Sequence, residues 1–211
     1  SCASGGGRID HEILRRTERV WTSDCNDALE RQLIQRGTSM LVPLEVMGAH
    51  IGPPTAHTTG RRQSLSFRGA TAMFGHMGVE WNLLTLREDQ QQQLRHIIDV
   101  YKKHRALLHS GNFVRYEVAA DMSAVAHGVI SQDQREALLS YAQLRTSQGL
   151  VPAPWKVHGL SGNVSYTVQY VSLGEAERKS FVMTGEQLEK IGIQPPMLYP
   201  ESAVLIYLQS Q

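Results

Sequence analysis

The chain has 211 residues, 41% of them hydrophobic, and its 21 Lys and Arg residues nearly balance its 20 Asp and Glu residues. This composition supports one large folded domain or two smaller ones and excludes a disordered chain. The charge balance argues against a nucleic-acid-binding protein, since phosphate binding needs a basic surface, and no apolar run is long enough for a membrane-spanning helix. Cys2 and Cys25 form neither a disulfide framework nor a zinc-binding pair, so a reducing compartment is expected.

Before residue 110, short apolar runs alternate with helical stretches. Residues 19–23 (RVWTS) predict a short strand, residues 26–37 predict a helix, and the apolar run of residues 39–54 predicts a strand buried on both faces. This strand–helix–strand order is typical of a βαβ unit and therefore predicts a parallel sheet.

The first of these helices has a start signal and an apolar pattern. Asn26 or Asp27 is a suitable N-cap, because a short polar side chain can accept hydrogen bonds from the first free backbone N–H groups. Leu29, Leu33 and Ile34 recur at helical spacing, which predicts that they form the buried face.

Two further helices are predicted before the character of the chain changes. Residues 68–84 are interpreted as a helix in spite of Gly75 and Gly78, each of which costs about 1 kcal/mol relative to Ala. Residues 87–111 predict the clearest helix, with acidic residues at its start, basic residues near its end and apolar residues at helical spacing between them.

From residue 112 onward the sequence predicts short strands separated by turn residues. They are FVRYEVAA (113–120), MSAVAHGVIS (122–131), EALLSYAQLR (136–145), WKVHGL (155–160), VSYTVQYV (164–171), KSFVMTG (179–185) and AVLIYLQ (203–209). Many short strands with frequent turns are typical of an antiparallel β-sandwich. We therefore predict an α/β protein with two domains, residues 1–110 and residues 111–211.

Asp24 is the first candidate for chemistry. It follows the predicted strand RVWTS and precedes a helix, and catalytic residues of parallel α/β barrels lie at this carboxyl end of the strands. The alternative is that Asp24 only caps the helix, which is a frequent role for Asp at this place.

The glycine-rich stretch CASGGGR, residues 2–8, is the second candidate. Its glycines either let the backbone approach a ligand closely or form a plain tight turn, and it matches no phosphate-binding motif. Cys2 would need a histidine base to act as a nucleophile. His50 and His57 make only a weak metal signal without a third ligand. Four arginines could bind a carboxylate or a sugar hydroxyl, or could equally be surface charges: Arg8, Arg61, Arg62 and Arg68.

Three stretches taken together carry a family resemblance. They are CASGGGRID, VWTSDCNDALERQLIQRGTSMLVPLEVMGAHI and RGATAMFGHMGVEWNL. In this order, with Asp24 placed 22 residues after Cys2, they resemble glycoside hydrolase family 36, the microbial α-galactosidases. The likeness is dense over about the first 110 residues and loose over the rest.

The resemblance implies a fold and a position within it. The family has an N-terminal β-supersandwich, a central (β/α)8 barrel and a C-terminal antiparallel β-domain. We therefore expect these residues to form the last part of the (β/α)8 TIM barrel followed by the β-sandwich domain. The N-terminal domain, the early barrel strands and the Lys-Trp-Asp motif of the nucleophile are expected upstream, since that motif does not occur here.

The resemblance also implies an activity: hydrolysis of terminal α-galactosides such as melibiose and raffinose-type sugars, with retention, by two carboxyl groups. Asp24 takes the role of general acid/base, Cys2 and Gly5 contact the galactose, and Arg8 has a positioning role. No metal and no cofactor are expected. Two departures, Cys25 in place of the usual Asn and Ile9 in place of an aromatic residue, affect the surroundings of these residues.

Several expectations complete this interpretation. The 211 residues alone are expected to be inactive, because the nucleophile is missing from them. The full enzyme is expected in the cytoplasm as a homo-oligomer, with a tetramer among its common states, and without a nucleic-acid or membrane partner. The alternatives are a galactosyltransferase or an α-N-acetylgalactosaminidase of the same family, or a non-catalytic carbohydrate-binding or oligomerisation fragment.

Overall fold

The computed structural model describes residues 11–149, 151–174 and 179–211. The chain divides into two compact units between Lys103 and His104. In the part of the chain that is described, no helix is both long enough and apolar enough to cross a membrane.

The first unit contains a small parallel sheet with helices between its strands. In chain order its elements are α1 (His11–Leu14), β1 (Val20–Trp21), α2 (Ala28–Thr38), β2 (Met47–Ile51), α3 (Leu65–Ala72), β3 (His76–Val79) and α4 (Glu88–Ser110), which continues past the division. The strand order is β1-β2-β3, and both pairs are parallel. All three strands therefore end at the same edge of the sheet.

Every residue of β2 is buried, as expected for a central strand of a parallel sheet. This agrees with the prediction of a buried strand, but the strand is much shorter than residues 39–54. A short 3-10 helix, Leu44–Val46, precedes β2, and Gly52 and two prolines follow it.

The fully buried positions of α2 are mostly polar, and Leu29 and Ile34 of the predicted apolar face are only half-buried. Leu33 is 46% exposed, while Arg31, Gln32 and Gln35 are buried. Two of these side chains bond to α3: Gln32 Nε2 donates to Thr71 Oγ1 at 2.9 Å and Gln35 Nε2 donates to the Thr71 carbonyl at 2.8 Å. Because the amide Nε2 groups of both glutamines are hydrogen-bonded, the helix packs without an apolar stripe.

The prediction of one helix over residues 68–84 is wrong in its second half. Helix α3 ends at Ala72, and β3 begins four residues later. Gly75 has a φ of +143°, and a Cβ there would lie 2.9 Å from the Met47 carbonyl oxygen. Gly75 therefore ends the helical segment and lets the chain enter the sheet beside β2, a role that helix propensity alone does not reveal.

The second unit is built on an antiparallel sheet. Its strands are β4 (Asn112–Tyr116), β5 (Ala124–Ile130), β6 (Glu136–Gln143), β7 (Ser165–Val171), β8 (Phe181–Thr184) and β9 (Ser202–Ser210), with helix α5 (Gly185–Lys190) after β8. They form one six-stranded sheet in the order β4-β5-β6-β9-β7-β8. The last strand thus lies between β6 and β7 and carries four consecutive buried residues, Leu205–Leu208.

Six of the seven predicted strands correspond to the six strands of this sheet. The remaining predicted strand, residues 155–160, does not form. Only Trp155 pairs there, in an isolated bridge with Ile193. Its ring is 1% exposed and contacts Tyr116 edge-on, with ring centroids 5.3 Å apart. Tyr141 and Tyr166 are also buried, so these four aromatic rings belong to the core and cannot serve as an exposed platform for a sugar.

Candidate active site

A cleft of about 290 Å³ lies at the edge where the strands of the parallel sheet end. It is lined by Trp21, Ser23, Asp24, His50, His57 and Glu80. These residues come from the end of β1, the end of β2 with its following loop, and the position directly after β3. In parallel α/β barrels this edge carries the catalytic residues.

Asp24 is exposed and faces this cleft, and it is not the cap of α2. The N-cap is Asp27, whose Oδ1 accepts from the backbone N–H groups of Leu29 at 2.9 Å and Glu30 at 3.4 Å. The helix-cap interpretation of Asp24 is therefore wrong. The alternative that Asp27 caps the helix is confirmed.

Asp27 also joins the loop after β1 to the loop after β2. Thr59 Oγ1 and Arg61 Nη1 each lie 2.5 Å from Asp27 Oδ2, and Gln63 Nε2 donates to Oδ1 at 3.0 Å. Burial alone would raise the pKa of Asp27. The hydrogen bonds from Thr59 and Leu29, the charge of Arg61 and the amide of Gln63 outweigh burial and hold the pKa below the usual value for Asp.

Arg31 of α2 holds the segment that carries Asp24. The side chain is 1% exposed. One guanidinium nitrogen donates to Thr22 Oγ1 at 2.9 Å, and the other donates to the Ser23 carbonyl at 3.0 Å. Burial lowers the pKa of Arg31, and the nearby negative groups, Asp24 among them, oppose this effect. Arg31 thus fixes the two residues before Asp24 from beneath the cleft.

His50 extends this arrangement to the far side of the cleft. Its Nδ1 lies 3.3 Å from Arg31 Nη2, and its Nε2 lies 2.8 Å from Glu80 Oε2. Burial, and then the charge of Arg31, lower the pKa of His50 to about 4, so the imidazole is neutral at neutral pH. Trp21 packs edge-on against the same ring, with centroids 5.0 Å apart.

The metal interpretation of the two histidines has no support here. Among the described residues no group of three or more His, Cys, Asp and Glu side chains could hold a metal ion. His50 Nδ1 faces a guanidinium, which would repel a cation. His57 is exposed, and its backbone N–H donates to Asn26 Oδ1 at 3.2 Å, so its place in the cleft wall is set by the loop.

A second buried arginine, Arg68 of α3, fixes the residue after Glu80. Its guanidinium carbon lies 4.8 Å from the centre of the Trp81 ring, a cation–π contact. The same guanidinium donates to the carbonyl oxygen of Gly52 at the end of β2. Burial lowers the pKa of Arg68 to about 10, so it remains charged at neutral pH.

The structure brings only part of the predicted site together. Asp24 lies in the cleft, while Cys2, Gly5 and Arg8 lie outside the described residues. Sequence reasoning missed Arg31 and Glu80. Nothing in the local sequence indicates that Arg31 is buried, because an arginine on a helix is normally exposed to solvent. Glu80 was hidden inside the helix wrongly predicted over residues 68–84.

A parallel sheet with connecting helices, and a carboxylate at its carboxyl edge, are features of α/β enzymes, α/β barrels among them. Two family descriptions match this chain: "Melibiase" over residues 1–111, and "Glycosyl hydrolase family 36 C-terminal domain" over residues 124–208. The chain therefore belongs to glycoside hydrolase family 36, as the resemblance predicted.

Similar proteins and solved structures agree with this family. The chain is 42% identical to "Alpha-galactosidase" of Escherichia coli, over 99% of this chain and 32% of that protein. It matches the crystal structure of an AgaA α-galactosidase variant from Geobacillus stearothermophilus in complex with 1-deoxygalactonojirimycin at a TM-score of 0.88 and 31% identity, over 100% of this chain and 28% of that chain. An AgaA variant in complex with raffinose gives a TM-score of 0.88 and 30% identity, with the same coverage.

The chain thus spans about a third or less of the length of the relatives it matches. The predicted fold class is confirmed: an α/β chain that forms the last part of a barrel and is followed by an antiparallel β-domain. The predicted boundary between residues 110 and 111 stays a prediction.

Proposed function

We propose that these residues supply the general acid/base of a retaining α-galactosidase, and that Asp24 is this residue. The observation that carries the proposal is the position of Asp24: it is exposed to the cleft at the carboxyl edge of the sheet, and Asp27 has taken over the capping role. The names of the relatives, and the raffinose complex of one of them, support an α-galactoside as substrate.

The proposed chemistry has two steps. A nucleophilic carboxylate attacks the anomeric carbon while Asp24 gives its proton to the glycosidic oxygen, so that the aglycone leaves as a neutral alcohol. Asp24, now ionised, then takes a proton from water, and the water oxygen attacks the anomeric carbon and displaces the nucleophile. Two inversions give galactose with its original configuration, and Asp24 regains its proton.

The other carboxylate of this pair should lie about 5–5.5 Å from Asp24. The sequence contains no Lys-Trp-Asp motif, so we assign the nucleophile to another part of the full-length protein. The 211 residues on their own should therefore not turn over substrate. The mechanism needs no metal or cofactor, because the two carboxylates perform both the covalent and the proton-transfer work.

Further assignments belong to the same proposal. Cys2 and Gly5 contact the galactose and Arg8 helps to position it. The substrates are terminal α-galactosides, melibiose and raffinose-type oligosaccharides among them. The full-length enzyme acts in the cytoplasm as a homo-oligomer.

The test uses the full-length protein that carries these residues, with Asp24→Ala. An aryl α-galactoside with a good leaving group needs no protonation of its leaving oxygen, whereas melibiose does. We expect the variant to lose melibiose hydrolysis, by about 10²-fold or more. It should still release a first equivalent of the phenol rapidly, followed by slow turnover, because water attack lacks its base.

Glu30→Gln is the matched control. Glu30 is an exposed carboxylate in the first turn of α2 and does not line the cleft, so both substrates should be cleaved as by the unaltered protein. Equal activity of Asp24→Ala and Glu30→Gln on melibiose would remove Asp24 from the mechanism. Transfer of galactose to added sugar in preference to water would identify a transferase in place of a hydrolase.

A further inference from the structure

The cleft contains a second carboxylate that the mechanism above does not use. Glu80 follows β3 directly, and its backbone N–H donates to the Ile51 carbonyl at 3.0 Å, which fixes its backbone to the end of β2. Its side chain is 69% exposed and lines the cleft together with Asp24. An exposed carboxylate facing the proposed acid/base across a cleft is available to the substrate.

The Glu80 carboxylate is in contact with the buried His50. An arginine can only donate hydrogen bonds, so His50 Nδ1, 3.3 Å from Arg31 Nη2, must be the acceptor. The proton of the neutral imidazole is then on Nε2, which lies 2.8 Å from Glu80 Oε2, a close contact without the geometry of a hydrogen bond. The His50 side chain is only 4% exposed, so its ring is held in a fixed position by the residues packed around it.

The contact with His50 engages one oxygen of Glu80 and leaves acceptor capacity on the carboxylate. A carboxylate has two oxygens with about four lone-pair sites and donates nothing when ionised. Its natural partners in the cleft of a glycosidase are hydroxyl groups, since O–H···O⁻ bonds are short and about twice as strong as neutral ones. Trp21 lines the same cleft and adds an apolar ring to its wall.

We propose that Glu80 accepts hydrogen bonds from hydroxyl groups of the bound α-galactoside, with its carboxylate in contact with the buried His50. This inference rests on the proposed function of the cleft. It makes Glu80 a substrate-binding residue that contributes to specificity. The hydroxyls belong either to the galactosyl ring or to the sugar that leaves, and the experiment distinguishes these two sources.

The experiment measures kcat/KM of the full-length protein and its Glu80→Ala and Glu80→Gln variants. The substrates are melibiose, an aryl α-galactoside, and the aryl α-galactosides that lack the 2-, 3-, 4- or 6-hydroxyl. Loss of a hydrogen bond to a charged acceptor should lower kcat/KM by about 10- to 100-fold. If the contact is to the galactosyl ring, this loss should vanish for the one substrate that lacks the bonded hydroxyl.

If the contact is to the leaving sugar, Glu80→Ala should impair melibiose and leave every aryl galactoside unchanged. In both cases Glu80→Gln should lose less than Glu80→Ala, because the amide oxygen can still accept. An equal loss on all substrates, with none of the deoxygenated compounds relieved, would show a purely structural role and overturn the inference. Abolished phenol release from the activated substrate would do so too, since it would make Glu80 the nucleophile.

Failure of the inference is distinguishable from failure of the proposed function. An unaltered full-length protein that hydrolyses none of these substrates would refute the function, and the inference with it. A protein that hydrolyses them, with Glu80→Ala and Glu30→Gln equally active on every compound, would refute only the role of Glu80. Circular dichroism of both Glu80 variants confirms that they are folded, which is expected for an exposed side chain.

Discussion

Replacing Asp27 by alanine should loosen the start of α2 and the two loops beside the cleft. Asp27 is fully buried and its carboxylate receives hydrogen bonds from two backbone N–H groups and three side chains. Losing the N-cap costs about 1 kcal/mol. Leaving the buried Gln63 amide without its acceptor costs about 1–3 kcal/mol.

Arg61 would lose its buried charged partner but keeps its contact with Glu30, and its side chain is 32% exposed, so water replaces part of the lost interaction. Together these effects predict a loss of about 3–5 kcal/mol, the range found when one member of a buried ion pair is removed. Glu30→Gln is the matched control, because Glu30 also contacts Arg61, at 3.2 Å, but is about half exposed. That exposed pair should contribute less than about 1 kcal/mol.

Amide hydrogen exchange of the full-length protein is the assay, because it reports local opening in a protein of several domains. In Asp27→Ala, the opening free energy of the α2 amides should fall by about 3–5 kcal/mol, while amides near the middle of α4 stay as they are. A fall below about 1 kcal/mol, or an equal effect of Glu30→Gln, would refute the reasoning.

The same residue predicts a dependence on pH. Because the pKa of Asp27 is lower in the folded protein than in the unfolded chain, its ionisation stabilises the fold above the unfolded value, near 3.8. This contribution is lost as the pH falls through the lower, folded pKa. The difference in α2 opening between the unaltered protein and Asp27→Asn should therefore be constant near neutral pH and shrink in acid.

Three remaining predictions concern single positions. Gly75→Ala should destabilise the first unit by about 1–3 kcal/mol, seen as a lower thermal midpoint, because φ is +143° and the new Cβ would meet the Met47 carbonyl. Gly37→Ala should raise stability by about 0.5–1 kcal/mol in the same measurement, since the site lies in α2 with no atom within 4 Å of the new Cβ. Arg31→Lys should lower kcat/KM for melibiose about 10-fold or more relative to the activated aryl galactoside, because one ammonium cannot hold both Thr22 and Ser23 and Asp24 shifts. An equal loss on both substrates would show only general destabilisation by Arg31→Lys.

The sequence allowed strands β1 and β2 and the long helix α4 to be predicted because burial and amphipathic spacing agree there. Leu94, Ile97, Tyr101 and Leu108 are all buried, as their spacing indicated. The same logic failed on α2, where hydrogen bonds to Thr71 let glutamines replace leucines at the buried positions. Periodicity detects apolar burial, so a polar helix face paired with its neighbour gives no such signal.

The candidate site shows the same limit. Asp24 was predicted from its place after a strand and from a family resemblance, and the structure then assigned the competing cap role to Asp27. The contact of Glu80 with His50 and that of His50 with Arg31 join residues 30 and 19 positions apart in the chain, which only the folded sheet brings together. The decisive error was at Gly75, where a positive φ separates α3 from β3.

The role of Asp24 is tested most directly by azide rescue of the Asp24→Ala variant in the full-length protein. Azide is an anion and needs no general base, so it should attack the accumulated galactosyl-enzyme and raise turnover of the activated aryl α-galactoside. The product should be α-galactosyl azide, because attack on a β-linked intermediate restores the α configuration. No acceleration by azide, or a β-galactosyl azide product, would contradict the account, and the β product would identify Asp24 as the nucleophile.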